Sequence, residues 1–139
     1  MHPPRFVCLL PIFAVLVVSA ASARTLSIVE APGLGAPARH GMEKFEASVR
    51  ARGWDIQNAT SVADVSGDGI VFVGLATAIE SWPFAPKLAH PLDTPEALAT
   101  KKFLFKGKPA LLFAGSDDRA VMYALLEASE SIAAADSND

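Results

Sequence analysis

The sequence has a single cysteine, Cys8, and therefore excludes a disulfide bond within the chain. It also lacks an excess of positive charge, because 12 Lys and Arg stand against 15 Asp and Glu. Proteins that bind the phosphates of nucleic acid usually carry a basic patch, so we expect no nucleic-acid partner. Hydrophobic residues make up 51% of the 139 residues, which predicts one small domain folded around an apolar core.

The N-terminal segment has the pattern of an export signal. Arg5 precedes an apolar stretch, residues 6–18, and the small residues at 21–23 match the sequence that signal peptidase cleaves. Pro11 interrupts this stretch, which is also shorter than the ~20 apolar residues of a membrane-spanning helix. We therefore expect a signal peptide over residues 1–23, a secreted or periplasmic protein, and no stable membrane insertion after cleavage. An uncleaved membrane anchor is the alternative.

We predict that the exported protein begins at Arg24, because the apolar stretch and its small-residue end place the cleavage after Ala23. N-terminal sequencing of the exported form measures this directly. Recovery of the chain with Met1 intact in the membrane fraction would favour the anchor.

Short apolar or alternating runs predict five strands in the rest of the chain. They are residues 25–29, 54–57, 69–74, 103–105 and 110–114. The sequence Lys-Gly-Lys-Pro at 106–109 predicts a hairpin connection, and the proline-rich segment 81–95 is expected to be irregular.

Two segments repeat apolar residues at steps of four, three and four, the spacing of one face of an α-helix. The first, residues 37–52, carries Ala38, Met42, Phe45 and Val49. The second opens with Ser116 or Asp117 as its N-cap and carries Val121, Leu125, Ala128 and Ile132. These elements predict an α+β fold with one mixed β-sheet of about five strands and two helices packed on one face. The predicted domain covers residues 24–133, and 134–139 are expected to form a disordered tail.

Three short patterns match parts of known binding sites, and each is incomplete. Residues 33–38 read G-x-G-x-x-A after a strand, but two prolines in and beside them remove N–H groups that a pyrophosphate would need. Residues 64–69 match the first half of a calcium loop, yet Leu75 stands where a bidentate Glu is required. His40 and Glu43 lie one helical turn apart, whereas zinc needs three or four ligands. We interpret the first two as turns and the histidines as surface residues, and we expect no cofactor and no metal site.

Adjacent carboxylates at Asp117 and Asp118 are the one pair that could suggest the acid–base chemistry of glycoside hydrolysis. Their position at a predicted helix start, beside Arg119, is explained more simply by stabilisation of the helix dipole. We therefore assign no catalytic residue.

An aromatic cluster, Trp-Pro-Phe at 82–84, lies in the segment expected to be irregular. Exposed aromatic rings there could stack on sugar rings or dock on a partner protein. The same rings could instead cover the open face of the sheet. Both interpretations stand at this point.

The C-terminal half carries a longer pattern. Residues 94–98 read Thr-Pro-Glu-Ala-Leu, a predicted hairpin follows, and residues 113–126 read FAGSDDRAVMYALL. This arrangement resembles the N-terminal accessory (domain 2-like) domain of bacterial-type β-hexosaminidases and family 67 α-glucuronidases, whose strand ends in A-G-x-D-x-R-G-x-x-Y-A-L. Ala120 stands where that pattern has Gly, a small change that favours helix. The likeness covers residues 25–133 and is specific only in its C-terminal part.

The resemblance implies a non-catalytic role tied to carbohydrate degradation. In such hydrolases the catalytic carboxylates lie in a following (β/α)₈ barrel, which needs about 250 residues. We therefore expect an exported accessory domain whose partner is a glycoside hydrolase barrel or a carbohydrate. The alternatives are a stand-alone exported interaction module unrelated to glycans, a fragment of a larger glycoside hydrolase, and a small hydrolase in its own right. An exposed apolar patch on the sheet or hairpin would favour the accessory domain.

Overall fold

The computed structural model describes residues 24–136. The predicted signal peptide, residues 1–23, and residues 137–139 lie outside the described residues. The strands are β1 (Thr25–Glu30), β2 (Asp55–Ala59), β3 (Gly69–Leu75), β4 (Leu98–Phe105) and β5 (Lys108–Gly115). The helices are α1 (Ala36–Ala51), a single turn α2 (Ala76–Ile79) and α3 (Asp118–Asp136), and a 3₁₀ turn covers Val62–Asp64.

The strands form one mixed sheet in the order β2-β1-β3-β5-β4. Strands β2, β1, β3 and β5 run parallel, and β4 runs antiparallel to β5 at the edge. The β4–β5 turn is tighter than the predicted connection at 106–109. Only Lys106 and Gly107 form it, with φ angles of 49° and 77°, because two residues with positive φ match the twist of the flanking strands. The predicted α+β class is confirmed.

Strand β4 begins five residues before the predicted strand 103–105. Its first half reads Leu-Ala-Thr-Lys-Lys and shows no apolar run, yet it pairs with β5 from Leu98 onward. Lysines are typical of edge strands because they discourage pairing with another sheet. The strand signal is therefore weak at an edge even where the backbone pairing is complete.

Helices α1 and α3 pack side by side on one face of the sheet, as predicted. The α1 face that repeats apolar residues is buried throughout, and so is the N-terminal half of the α3 face. Farther along α3, Ala128 and Ile132 are only partly buried. These helices and the sheet share one core cluster, whose buried members include Ile28, Phe45, Val71, Val73, Phe113, Val121 and Leu125.

Small and polar residues set the close contact between α1 and α3. A Cβ atom on Gly41 would lie 2.9 Å from the Cα of Met122, so only glycine permits this approach. Two turns farther on, the Ser129 hydroxyl donates to the Lys44 carbonyl oxygen at 3.0 Å, and the Ser48 and Ser129 hydroxyl oxygens lie 2.6 Å apart. Because a hydroxyl has one proton, Ser48 donates the second bond. The two helices are thus joined along most of their length.

The irregular segment after α2 covers the opposite face of the sheet. The rings of Trp82 and Phe84 pack on Phe72, with centroids 5.5 and 4.8 Å from that of Phe72. Phe105 lies 5.3 Å from Phe72 and 4.9 Å from Phe84. Phe72 has no exposed surface. Of the two interpretations of residues 82–84, the structure therefore supports the one in which the rings close this face.

The C-terminal helix is longer than predicted. α3 continues to Asp136, so residues 134–136 are helical rather than part of a tail. The run of alanines at 133–135 explains the extension, because alanine is the strongest helix former. Within residues 24–136, none of the helices has the length and apolar character needed to span a membrane.

We predict that Leu125→Ala lowers the free energy of unfolding by about 2–5 kcal/mol, because this fully buried side chain would leave a cavity between α3 and the sheet. The matched control is Leu104→Ala, since Leu104 is 73% exposed and its loss is expected to change stability by no more than about 0.5 kcal/mol. Urea unfolding of the three proteins measures both values. Equal midpoints for the wild type and Leu125→Ala would show that the assigned core face is wrong.

Candidate functional site

The segment that carries the family resemblance forms the junction between β5 and α3. At its start, the Ser116 N–H donates to the Ala97 carbonyl oxygen at 2.8 Å, and the Ala97 N–H donates to the Ser116 hydroxyl at 3.0 Å. These two bonds tie the junction to the start of β4. Gly115 is needed here because an added Cβ would lie 2.6 Å from the Val121 nitrogen.

Asp117 is the N-cap of α3. One of its carboxylate oxygens accepts the Ala120 N–H at 2.8 Å, and the other accepts the Glu96 N–H at 3.0 Å. These bonds lower the pKa of Asp117 below its ordinary value of 3.8, with the Ala120 N–H contributing most and the Glu96 N–H next. Burial opposes this shift, and the backbone and charge of Arg119 add smaller effects that lower the pKa. Of the two predicted N-caps, Asp117 is therefore the one that fills this role.

Asp118 reaches across to the other long helix. Its carboxylate accepts the N–H of Gly35, the N-cap of α1, at 2.7 Å. An added Cβ on Gly35 would lie 2.7 Å from an oxygen of the same carboxylate, so a side chain at this position would displace the carboxylate. The Asp118 carboxylate thus takes a backbone N–H of the G-x-G-x-x-A segment that a pyrophosphate would use, which supports the interpretation of that segment as a turn.

Glu96 is held in a strained conformation by the same junction. Its φ is 57°, an uncommon value for a residue other than glycine, and its carboxylate lies 3.2 Å from the Arg119 guanidinium. Both side chains are largely exposed, so this ion pair contributes little to stability. The main restraint on Glu96 is the backbone bond to Asp117.

The two adjacent carboxylates are not arranged as a catalytic pair. Asp117 bonds within the junction and Asp118 bonds to α1, so each serves a different set of backbone N–H groups. A general acid in glycoside hydrolysis needs a raised pKa, whereas that of Asp117 is lowered. The hydrogen bonds of Asp117 and Asp118 fix the starts of α1 and α3 relative to each other.

The remaining candidate ligands are dispersed. Asp68 accepts the Thr25 N–H at 2.9 Å, and Asp64 accepts the Ser61 hydroxyl at 3.1 Å, so the two acids of the calcium-like segment bond to different parts of the chain. His40 and Glu43 are exposed on α1. Across residues 24–136, no three His, Cys, Asp or Glu side chains lie close enough together to hold a metal ion.

A groove of about 1300 Å³ opens between α3 and the sheet on the side of β4. We call it the helix-face groove. The sheet supplies the aromatic and aliphatic floor, α1 supplies an inner wall, and the small side chains of α3 form the roof. The residues that best define it are Phe45 and Val49 of α1, Leu111 and Phe113 of β5, and Ala124, Ala128 and Ile132 of α3.

The rim of the helix-face groove combines apolar and charged side chains. Leu98 and Leu104 of β4 line it and are 36% and 73% exposed. Lys102 lines it from the same strand, and Arg52 lines it from the end of α1, where the guanidinium donates to the Ile132 carbonyl oxygen at 3.3 Å. An apolar interior with a few polar groups at its edge is typical of binding sites.

Sequence patterns did not reveal this groove. Its roof includes the small residue Ala128, which the helical spacing identifies equally well as a core position. One signal was available in β4, where Leu104 stands between Phe103 and Phe105 and must face the opposite side of the sheet. An apolar residue such as Leu104, between two apolar residues that face the other way, indicates that both faces of this edge strand carry apolar surface.

Comparison of the chain with models of known protein families and with curated proteins finds no match. The geometry of the β5–α3 junction and of the helix-face groove therefore carries the functional interpretation.

We predict that the free energy of unfolding of Asp117→Asn falls less steeply than that of the wild type as the pH is lowered. Because the folded pKa lies below that of the unfolded chain, the carboxylate stabilises the fold fully above pH 3.8 and loses this effect as the pH falls through the folded value. Asparagine does not titrate, and its single carbonyl oxygen can keep the capping bond from the Ala120 N–H while the bond from Glu96 is lost. Urea unfolding between pH 2 and 6 measures the difference.

Asp93→Asn serves as the control for this measurement, because it removes one exposed carboxylate from a loop. The wild type and Asp117→Asn should converge in stability below the folded pKa of Asp117. A constant difference between the two proteins at every pH would contradict the role given to the carboxylate charge.

Proposed function

We propose that this protein is an exported, non-catalytic accessory domain associated with glycoside degradation, which packs on a hydrolase barrel. The observation that carries the proposal is the structural role of the pattern at residues 113–126. Gly115 permits the close approach of β5 and α3, Asp117 caps α3, and Leu125 fills the core. Accessory domains are non-catalytic, so a pattern that this protein shares with them is expected to build the junction and not to supply reactive groups.

The departure from the family pattern at Ala120 fits the same junction. Ala120 is fully buried, and its Cβ would lie 2.8 Å from a Cβ on Gly115. Because residue 115 is glycine, the extra methyl group at position 120 is accommodated. The substitution therefore leaves the resemblance intact.

Tyr123 offers a contact point for a partner. It belongs to the same pattern, yet 39% of it is exposed on the outer side of α3. Partly exposed tyrosines on a rigid helix are favoured at protein interfaces, since they bury a large area at little entropic cost. This exposure supports a role for α3 in binding the barrel.

A second candidate is a stand-alone interaction module unrelated to glycans. The exposed side chains of Leu98 and Leu104 favour binding of some partner but do not require a hydrolase. A neighbouring reading frame that encodes a (β/α)₈ barrel with a pair of catalytic acids would favour the accessory domain over this alternative.

Association with a barrel tests the proposal. The barrel of a bacterial-type β-hexosaminidase or α-glucuronidase, expressed without its own N-terminal domain, is titrated with the purified protein in a calorimeter. We expect saturable binding that Tyr123→Ala weakens by about tenfold or more. Glu130→Ala, which alters an exposed residue of the same helix, is the matched control and should bind like the wild type. Failure to bind either barrel would contradict the proposal.

We predict that the purified protein hydrolyses neither nitrophenyl N-acetylglucosaminide nor nitrophenyl glucuronide. Hydrolysis needs two carboxyl groups facing one cleft, one of them with a raised pKa, whereas Asp117 and Asp118 are bonded to separate backbone groups. Active glycosidases serve as positive controls. Turnover that disappears in Asp117→Asn or Asp118→Asn would favour the small hydrolase instead.

A further inference from the structure

We propose that the helix-face groove binds a single-chain anionic amphiphile, with the alkyl chain between α3 and the sheet and the anionic head group at Lys102. This inference is independent of the proposed function, because it concerns a ligand and not the barrel. The free monomeric fatty-acid anion is the ligand class we commit to.

The interior of the groove is suited to an alkyl chain. Phe45 and Phe113 meet edge to face at its inner wall, with ring centroids 5.4 Å apart, and both are almost completely buried. On the α3 side, Ala128 is only partly buried and presents a methyl group to the groove, which leaves space that a larger residue would fill. Moving the methylene groups of a ligand from water into such a site is favourable because it removes apolar surface from water.

The outline of the groove suits a single extended chain. Its rim follows β4 from Leu98 to Leu104, six residue steps or about 20 Å at the rise of a strand. The α3 roof on the other side extends from Ala124 to Ala135. An apolar groove of this length can hold an extended alkyl chain.

The charges around the groove favour an anion. Among the described residues that line it, Arg52 and Lys102 are cationic and Glu127 is acidic. Arg24 adds positive charge at the Trp54 end, where its guanidinium lies 5.6 Å from the centroid of the indole ring. Lys102 projects from the exposed edge strand on the same face as Leu111, so its ammonium group can meet a head group without being buried.

Fluorescence titration tests the proposal, because Trp54 lines the groove while Trp82 packs on the other face of the sheet. In a Trp82→Phe background Trp54 is the sole tryptophan and reports directly on the groove. The protein is titrated with dodecanoate and, for comparison, with dodecyltrimethylammonium below their micelle concentrations. We expect saturable binding of dodecanoate and binding of the cationic amphiphile that is weaker by about tenfold or more.

Two pairs of variants locate the ligand. Ala128→Phe fills the groove and should abolish the response, whereas Ala47→Phe, on the exposed side of α1, should leave it unchanged. Lys102→Glu should weaken dodecanoate binding by about three- to tenfold. Lys101→Glu should not, because Lys101 faces the opposite side of β4 beside Leu112.

Several outcomes would overturn the proposal. They are the absence of saturable dodecanoate binding, equal binding of both amphiphiles, and equal effects of the two lysine variants. Sedimentation showing that a second copy of the chain covers the groove, or binding only to anionic vesicles, would assign it to another occupant. If circular dichroism shows that Ala128→Phe does not fold, the comparison of the surface variants Lys102→Glu and Lys101→Glu still tests where the ligand binds.

Discussion

The close attachment of α3 to α1 is the constraint on which the rest of this fold depends. Met122 of α3 rests against the backbone at Gly41, where a side chain would not fit. Farther along, Ser129 bonds to Ser48 and Lys44, and the Arg52 guanidinium reaches the Ile132 carbonyl oxygen. These contacts hold both halves of α3 against α1. At the other end, the bond from Gly35 to Asp118 fixes the starts of the two helices.

An α3 helix held toward α1 leaves part of the edge strand β4 uncovered, around Leu104. The N-terminal half of α3 buries Val121 and Leu125 fully, but Ala128 and Ile132 remain partly exposed beside the opening. Larger side chains at the alanine positions would fill the space above β4. The helix-face groove is thus a consequence of helix–helix contact combined with small residues on the side of α3 that faces the sheet.

The two faces of the sheet are closed by different means. One receives amphipathic helices, whereas the other is covered by an irregular segment whose aromatic rings surround Phe72. Edge-to-face and tilted ring contacts stabilise such a segment without regular backbone hydrogen bonds. Consequently the aromatic rings of Trp82 and Phe84 serve the fold, and Leu104 is an exposed apolar side chain on the helix side of the sheet.

The sequence by itself determined the two long helices, most of the strand positions and the α+β class, because hydrophobic periodicity reports which faces of a strand or helix meet the core. The α1 stripe from Ala38 to Val49 follows from local spacing alone, whereas the choice of Asp117 over Ser116 as the cap of α3 needed the structure. Only the tertiary structure decided what Asp118 bonds to, which face the Trp82 ring covers, and where the groove opens. Those features join residues up to 83 positions apart in the chain, such as Gly35 and Asp118, and local patterns carry no record of such distant contacts.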